Sequence, residues 1–304
     1  MFGDLTVIAD GTIESVRSSL PDLRRALAER ELPFVMHVTS GPDHATEVSR
    51  ATLLDGGRYL VAVGNDGSIQ AVLNGIFDDG RPIVDAPVLG VVGAGAGPDL
   101  LRTFGLPDDI DIDVMHLTGD NVYALDVMKI STGGDGPERT VRYAHGVAEV
   151  GFGGAVARTS ARLPVGLGRA RRFLGFWLTL VRWRPATVRV TSDMKSYEGP
   201  AQNVVIGNGQ YANDGVRLSP RSFPGDGVLD TLVFRGPRSD ALTMLPRMFR
   251  SGDHVPDPHI TEMRAKIRVA VESDRPLPVV ADGVNLGTTP ATFQVVPKPI
   301  LLKL

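Results

Sequence analysis

The chain of 304 residues contains no cysteine, which excludes a disulfide scaffold, a thiolate metal site and a cysteine nucleophile. No apolar run approaches the roughly 20 residues that span a bilayer. Met1 to Asp10 has neither a basic start nor a long apolar run, which predicts no signal peptide. Lysine is scarce, 5 against 27 arginines, and the net charge is −3, so no global basic field recruits nucleic acid. No Gly-Lys-Ser or Gly-Lys-Thr occurs, so a P-loop is excluded. These absences predict a soluble, cytoplasmic protein. With 42% apolar and 22% charged residues the chain is ordinary globular material, and its length predicts two domains.

In the first half, apolar runs alternate with helical patterns. Thr6–Ala9, Phe34–Val38, Tyr59–Val63 and Val88–Val92 read as strands. Leu20 to Leu32, Ser68 to Asn74 (capped by Gly75) and Asp99 to Phe104 (ended by Gly105) read as helices. Unalternating strands with helical crossovers predict a parallel sheet covered on both faces. After about residue 118 the texture changes. Thr187–Thr191, Gln202–Ile206, Val228–Phe234, Lys266–Val271 and Thr292–Val296 read as strands separated by turn residues, as in antiparallel β structure. Pro107 to Asp113 reads as an exposed acidic linker.

Two glycine turns follow buried-type strands. Gly64–Asn65–Asp66–Gly67–Ser68 and Gly93–Ala94–Gly95–Ala96–Gly97–Pro98–Asp99 each precede a helix. Two readings of each stand: an ordinary βα turn, or a nest of backbone N–H groups for phosphate. Neither is a dinucleotide fingerprint, which makes a dehydrogenase the least supported class.

These turns carry a resemblance. Gly64 to Ser68 followed by Asn74–Gly75 resembles the G-G-D-G-T…N-G signature of the diacylglycerol kinase/sphingosine kinase family. Leu89 to Val92, Gly95 to Asp99 and Arg102 to Gly105 resemble its L-G-I-I-P-x-G-T-G-N-D-x-x-R-T-x-G. Asn203 to Tyr211 resembles N-x-x-x-x-N-G-x-Y, Ser219–Pro220 through Asp226 to Asp230 resembles P-x-A-x-x-D-D-G-x-L-D, and Asp282–Gly283 with Pro290 resembles D-G-E…P.

The resemblance implies an N-terminal α/β nucleotide domain like that of NAD kinases and phosphofructokinases, residues 1–118. A mainly antiparallel β-sandwich lipid domain, 119–288, would follow. A last strand, 289–304, would return to the first domain. It implies ATP-dependent phosphorylation of a lipid hydroxyl, with diacylglycerol the default acceptor. Thr39, Gly64, Asn65, Asp66, Gly67, Ser68, Ile69, Gly95, Ala96 and Gly97 would contact nucleotide. Asp66 would be central to a metal–phosphate network and Asp282 the general base. Mg2+ would sit on Asp226 and the carbonyls of Phe223 and Val228, oxygen ligands that suit a hard cation. For Asp226–Gly227 by itself, a plain hairpin turn remains open.

Several positions depart from the pattern: Asn65 for Gly, Ser68 for Thr, Ala71 and Val284 for Glu, Ala96 for a hydroxyl residue, Pro98 for Asn, and Ala9–Asp10–Gly11–Thr12 for N-P-x-x-G. They keep a second expectation open, a degenerate relative that binds nucleotide or lipid without turnover. A kinase of a soluble metabolite is a third.

Arg158 to Arg184 holds seven arginines, no acid and both tryptophans. Phe173, Phe176, Trp177, Leu180 and Trp183 fall on one helical stripe, with Arg172, Gly175, Thr179 and Arg182 opposite. The stretch predicts either a docking helix for a membrane surface or a core helix with solvated arginines. A homodimer is a further expectation. His254 and His259, separated by two prolines, read as a solvated loop rather than a zinc site.

Overall fold

The computed structural model describes residues 4–304, apart from 79, 135, 137–138 and 169. It divides into two compact units, Met1–Val127 with Val296–Leu304, and Met128–Val295. Sequence texture places the first division at 118/119, and the resemblance implies the second at 288/289.

In the first unit the chain alternates β1 (Leu5–Asp10), α1 (Glu14–Glu29), β2 (Phe34–Thr39), α2 (Pro42–Leu54), β3 (Tyr59–Val63) and α3 (Asp66–Ile76). A short hairpin, β4 (Phe77–Asp78) and β5 (Arg81–Pro82), precedes β6 (Val88–Val92), α4 (Asp99–Thr103) and α5 (Ile110–Thr118). The strands pair in parallel in the order β6-β3-β1-β2. Every residue of β3 and β6 is buried, which is why neither alternates in sequence. β2 is the edge, and its Val35, His37 and Val38 are exposed, so the cover is incomplete there.

α1 starts two turns before the predicted helix, because Pro21 lies inside it and hides its beginning. α2 was not foreseen: its buried face is Ala45, Ser49 and Leu53, with a single large apolar residue. Gly75 is inside α3 rather than capping it. A Cβ there would stand 2.4 Å from the Thr46 carbonyl oxygen, so glycine is what lets α3 approach α2. The expected acidic linker is also corrected. Asp109 accepts from Ile112 N–H as the N-cap of α5, whose buried Val114 and Leu117 turn Asp113 inward.

The second unit begins within β7 (Val122–Thr132) and continues through β8 (Thr140–Ala144), β9 (Val147–Gly151), α6 (Phe152–Ala161), a 3-10 turn (Val165–Leu167) and α7 (Ala170–Arg182). Then come β10 (Ala186–Thr191), β11 (Ser196–Ala201), β12 (Asn203–Gly207), β13 (Leu229–Phe234) and α8 (Asp240–Arg250). β14 (Ile260–Ala265), β15 (Arg268–Ser273), β16 (Pro278–Ala281), β17 (Val284–Thr288) and β18 (Ala291–Lys303) complete it. One antiparallel sheet runs β14-β13-β12-β9-β16-β17, and another contains β11-β10-β15-β18. Their facing apolar residues, among them Val188, Val190, Val204, Ile206 and Phe293, form one core. β18 serves both units: Ala291 to Gln294 pair with β15, and Leu301–Leu302 run parallel to Val88–Leu89 of β6.

α7 buries small residues together with part of its aromatic stripe: Phe176 packs edge-on against Phe152 at 5.3 Å, and Phe176, Trp177 and Leu180 are half-buried. Gly175 and Thr179 are buried against α6, where Thr179 Oγ1 lies 2.9 Å from Thr159 Oγ1 and a Cβ on residue 175 would strike Ser160. Small residues thus let α7 approach α6 closely, while Phe173 of the stripe is left 63% exposed and Val181, outside it, 75%. Trp183 is buried beneath the Arg275 guanidinium. Of the seven arginines, Arg169 lies outside the described residues. His254 is not in a solvated loop: it is buried, stacked on Phe234, with Nε2 3.1 Å from Leu218 O, while His259 pairs with Asp240.

Candidate functional site

In the first unit the C-terminal ends of four parallel strands deliver the polar groups, the place where open α/β sheets bind ligands. Thr39, last residue of β2, is buried and donates from Oγ1 to Ala9 O at 3.2 Å. Asp10 ends β1. Its Oδ1 accepts from Thr12 N–H, and its Oδ2 accepts from Ser68 Oγ at 2.7 Å. Asp10 therefore ties β1 to the N-terminus of α3. Sequence reasoning noticed it only as a missing motif; an acid ending a buried strand was the available signal.

The first glycine turn enters α3 through Asn65, whose Oδ1 accepts from Ser68 N–H at 3.1 Å and whose carbonyl accepts from Ile69 N–H. Gly64, at φ 147°, has no room for a Cβ beside Ser68. Asp66 reaches across: Oδ2 accepts from Asp99 N–H at 2.9 Å and Oδ1 from Leu100 N–H at 3.1 Å. The carboxylate expected to organise metal and phosphate thus also holds the start of α4.

The second turn is closed by carboxylates. Gly93 N–H donates to Asp113 Oδ2 at 2.9 Å and Gly95 N–H to Asp108 Oδ1 at 3.2 Å, while Ala96 N–H returns to Gly93 O. Gly97 lies at φ 59°, its carbonyl accepting from Arg102, which also pairs with Asp99 at 2.7 Å. Burial pushes the Asp113 carboxyl up to about 7, against the pull of the Gly93 N–H. Asp108 and Asp109 nearby raise it further. Of Gly95, Ala96 and Gly97, expected from the sequence to contact phosphate, Gly95 gives its N–H to Asp108 and Ala96 gives its N–H to Gly93 O.

In the second unit Asp282 sits at φ 49°, with its side chain buried. Its Oδ2 accepts from His145 N–H at 2.9 Å and its Oδ1 from Gly146 N–H at 3.0 Å, and His145 Nε2 stands 3.5 Å from Oδ2. Burial raises its carboxyl above the usual range. Val284, two residues on, packs against the core. A second buried acid was missed. Glu149 of β9 accepts from Asn203 Nδ2 and Asn213 Nδ2, both at 2.8 Å. Burial raises it too, opposed by those amides and by the charge of Arg172. A single acid inside the strand VAEVG was the signal.

The metal expectation does not fit this loop. Asp226 Oδ1 accepts from Val228 N–H at 3.0 Å, and Oδ2 faces Arg264 at 3.3 Å. Phe223 O already accepts from Gly225 and Asp226 N–H. Arg264 also pairs with Asp230 at 2.9 Å, so a guanidinium supplies the positive charge here. Among the described residues no three His, Asp or Glu side chains cluster as metal ligands.

Residues 5–130 match the family described as diacylglycerol kinase catalytic domain, and 146–303 the YegS C-terminal NAD kinase beta sandwich-like domain. The diacylglycerol kinase of Bacillus subtilis (strain 168) is 24% identical over 259 residues, 84% of this chain and 81% of that one. A protein named probable lipid kinase YegS-like from Stenotrophomonas maltophilia (strain K279a) is 24% identical over 270 residues, 88% and 82%. The crystal structure of a diacylglycerol kinase from Bacillus anthracis str. Sterne superposes with a TM-score of 0.67 at 18% identity, covering 99% of this chain and 96% of that one. Yeast NADH kinase, solved with NADH, superposes at 0.55 with 11% identity, covering 98% and 82%.

Proposed function

We propose, from the premise that the chain belongs to the diacylglycerol kinase and YegS family of lipid kinases, that it transfers the γ-phosphate of ATP to the hydroxyl of a membrane lipid such as diacylglycerol. The observation that carries the nucleotide part is the Asp10–Ser68 bond, which fixes Thr39, Asn65 and the N-terminus of α3 at adjoining strand ends. A helix N-terminus with its cap in place favours phosphate oxygens. Asp10, Asp66 and Asp99 favour a nucleotide that arrives with its charge already offset by a divalent cation. No lysine serves this site, so positioning by backbone N–H groups has to supply what a P-loop lysine supplies elsewhere.

Asp282 is the group proposed to take the acceptor's proton. Its raised pKa suits a base better than an ordinary aspartate would. It is buried, so the hydroxyl has to reach it through the His145–Gly146 backbone that now holds it. No helix of the described residues is long and apolar enough to cross a membrane. The exposed apolar face of α7, with Arg171, Arg172 and Arg182 beside it, is the proposed route to a lipid surface.

A second reading, binding without turnover, is favoured by the closed second turn and by Val284, which has no proton to take or give. Radiolabelled ATP with vesicles containing diacylglycerol decides between the two. Labelled phospholipid supports the kinase. Heat of ATP association in calorimetry with no labelled product supports the second reading, and the absence of both removes the nucleotide site.

A further inference from the structure

Two turns of the second unit lock into one projecting tip. The first, Ser192 to Lys195, links β10 to β11 and is closed by Ser192 N–H to Lys195 O at 2.8 Å. The second, Ala265 to Arg268, links β14 to β15. Asp193 joins them: its carboxylate accepts from the backbone N–H of Lys266, Ile267 and Arg268 at 2.6, 2.9 and 2.9 Å. Three donors on one carboxylate hold both turns in a single conformation.

What the tip presents is unusual. Met194 is 93% exposed, the highest value for a large apolar side chain among the described residues, and Ile267 is 69% exposed. Lys195, Lys266 and Arg268 flank them, and none of the three forms an ion pair among the described residues. Two of the chain's five lysines are here. The nearby acids are already engaged: Asp193 by backbone, Glu262 by Arg221, and Asp226 and Asp230 by Arg264. A cavity of about 480 Å³ opens beside the tip, lined among others by Met194, Lys195, Arg221 and Arg264.

We propose that this double turn is a contact site for an anionic bilayer surface, with Met194 and Ile267 entering the interfacial layer and Lys195, Lys266 and Arg268 facing lipid phosphates. The chemistry is that of interfacial anchors, apolar side chains on a rigid mount with cations at headgroup level. α7 leads into the start of β10 and the tip closes its far end, so six residues of strand, roughly 20 Å, separate the two surfaces. Two anchors so spaced fix an orientation on a bilayer that one helix leaves free. Choosing a lipid surface as the occupant rests on the lipid-kinase reading. The test is therefore run without nucleotide, so that failed phosphotransfer with intact binding counts against that reading alone.

Because the chain has no cysteine, Met194→Cys and Ile267→Cys each give the full-length protein one thiol for an environment-sensitive fluorophore. Leu54→Cys, at an exposed position on α2, is the reference label. The expected result is a blue shift at 194 and 267, absent at 54, with phosphatidylcholine vesicles containing phosphatidylglycerol and not with phosphatidylcholine alone. Lys195→Glu with Lys266→Glu should weaken cosedimentation at least about thirtyfold, the combined effect of two cations at an anionic surface. Unchanged emission at both tip positions with anionic vesicles overturns the proposal, whether or not the protein sediments. An equal shift at position 54 overturns it as well, since it marks general adsorption.

Discussion

Gly64–Ser68 and Gly93–Pro98 both join a fully buried parallel strand to a helix, yet their backbone N–H groups end on different partners. At the first turn Asn65 caps from within, Asp66 turns to the start of α4, and Asp10 takes the Ser68 hydroxyl. At the second, Asp108 and Asp113 take the N–H groups of Gly95 and Gly93. The helices differ as well: eleven residues in α3 against five in α4, so only α3 sums an appreciable dipole. A glycine turn is therefore a phosphate site only if nothing in the fold has already brought an acid to its N–H groups.

The comparison breaks most severely at Asp66, which bridges the two turns by holding the start of α4. Asp66→Ala strands two N–H groups and should cost about 2–4 kcal/mol of stability in thermal or urea unfolding, with at least about a hundredfold loss of phosphotransfer. If stability drops while nucleotide affinity holds, Asp66 is a structural bridge alone.

Asp113 sharpens it through pH. Its folded carboxyl titrates at about 7 against 3.8 when unfolded. Between those values the native state keeps a proton that the unfolded chain has released. Its stability contribution is complete below about pH 4 and is lost as pH rises through 7, by at most about 4 kcal/mol at 1.36 per unit. Asp113→Asn should flatten the slope of unfolding free energy between pH 5 and 7.5; an unaltered slope would place the proton elsewhere.

Releasing the second turn tests its closure directly. Asp108→Ala with Asp113→Ala, which leaves no side-chain acceptor at either position, should tighten nucleotide binding by roughly threefold to tenfold in calorimetry, about 1 kcal/mol, by freeing the Gly93 and Gly95 N–H groups for phosphate. Weaker binding would mean the acids position the turn rather than shut it. The smallest effect is expected at Ala94, whose φ of 50° is a glycine conformation. Ala94→Gly should raise stability by about 0.5–1 kcal/mol if strain relief exceeds the added freedom of the unfolded chain.

Much of the fold was legible because its signals are local. Unalternating runs such as Tyr59–Val63 announce strands buried on both faces, and alternation in Thr187–Thr191 announces a sheet with one covered face. Where the reading failed, a neighbour supplied the missing information. Gly75 looks like a cap until Thr46 lies against it, and α7 buries its small face because Ser160 and Thr159 of α6 meet it there. His254 looks solvated until Phe234 and the Leu218 carbonyl enclose it.

The site divides in the same way. Sequence alone determined that two glycine turns follow buried strands, that Asp66 and Asp282 stand in recognisable motifs, and that no lysine attends them, since residue type and spacing are properties of the string. Only the tertiary structure decided that Asp10 meets Ser68, that Asp108 and Asp113 close the second turn, and that Arg264 neutralises Asp226 and Asp230. Those partners lie from 13 to 58 positions apart, and a hydrogen bond reads distance in space, which chain order does not encode.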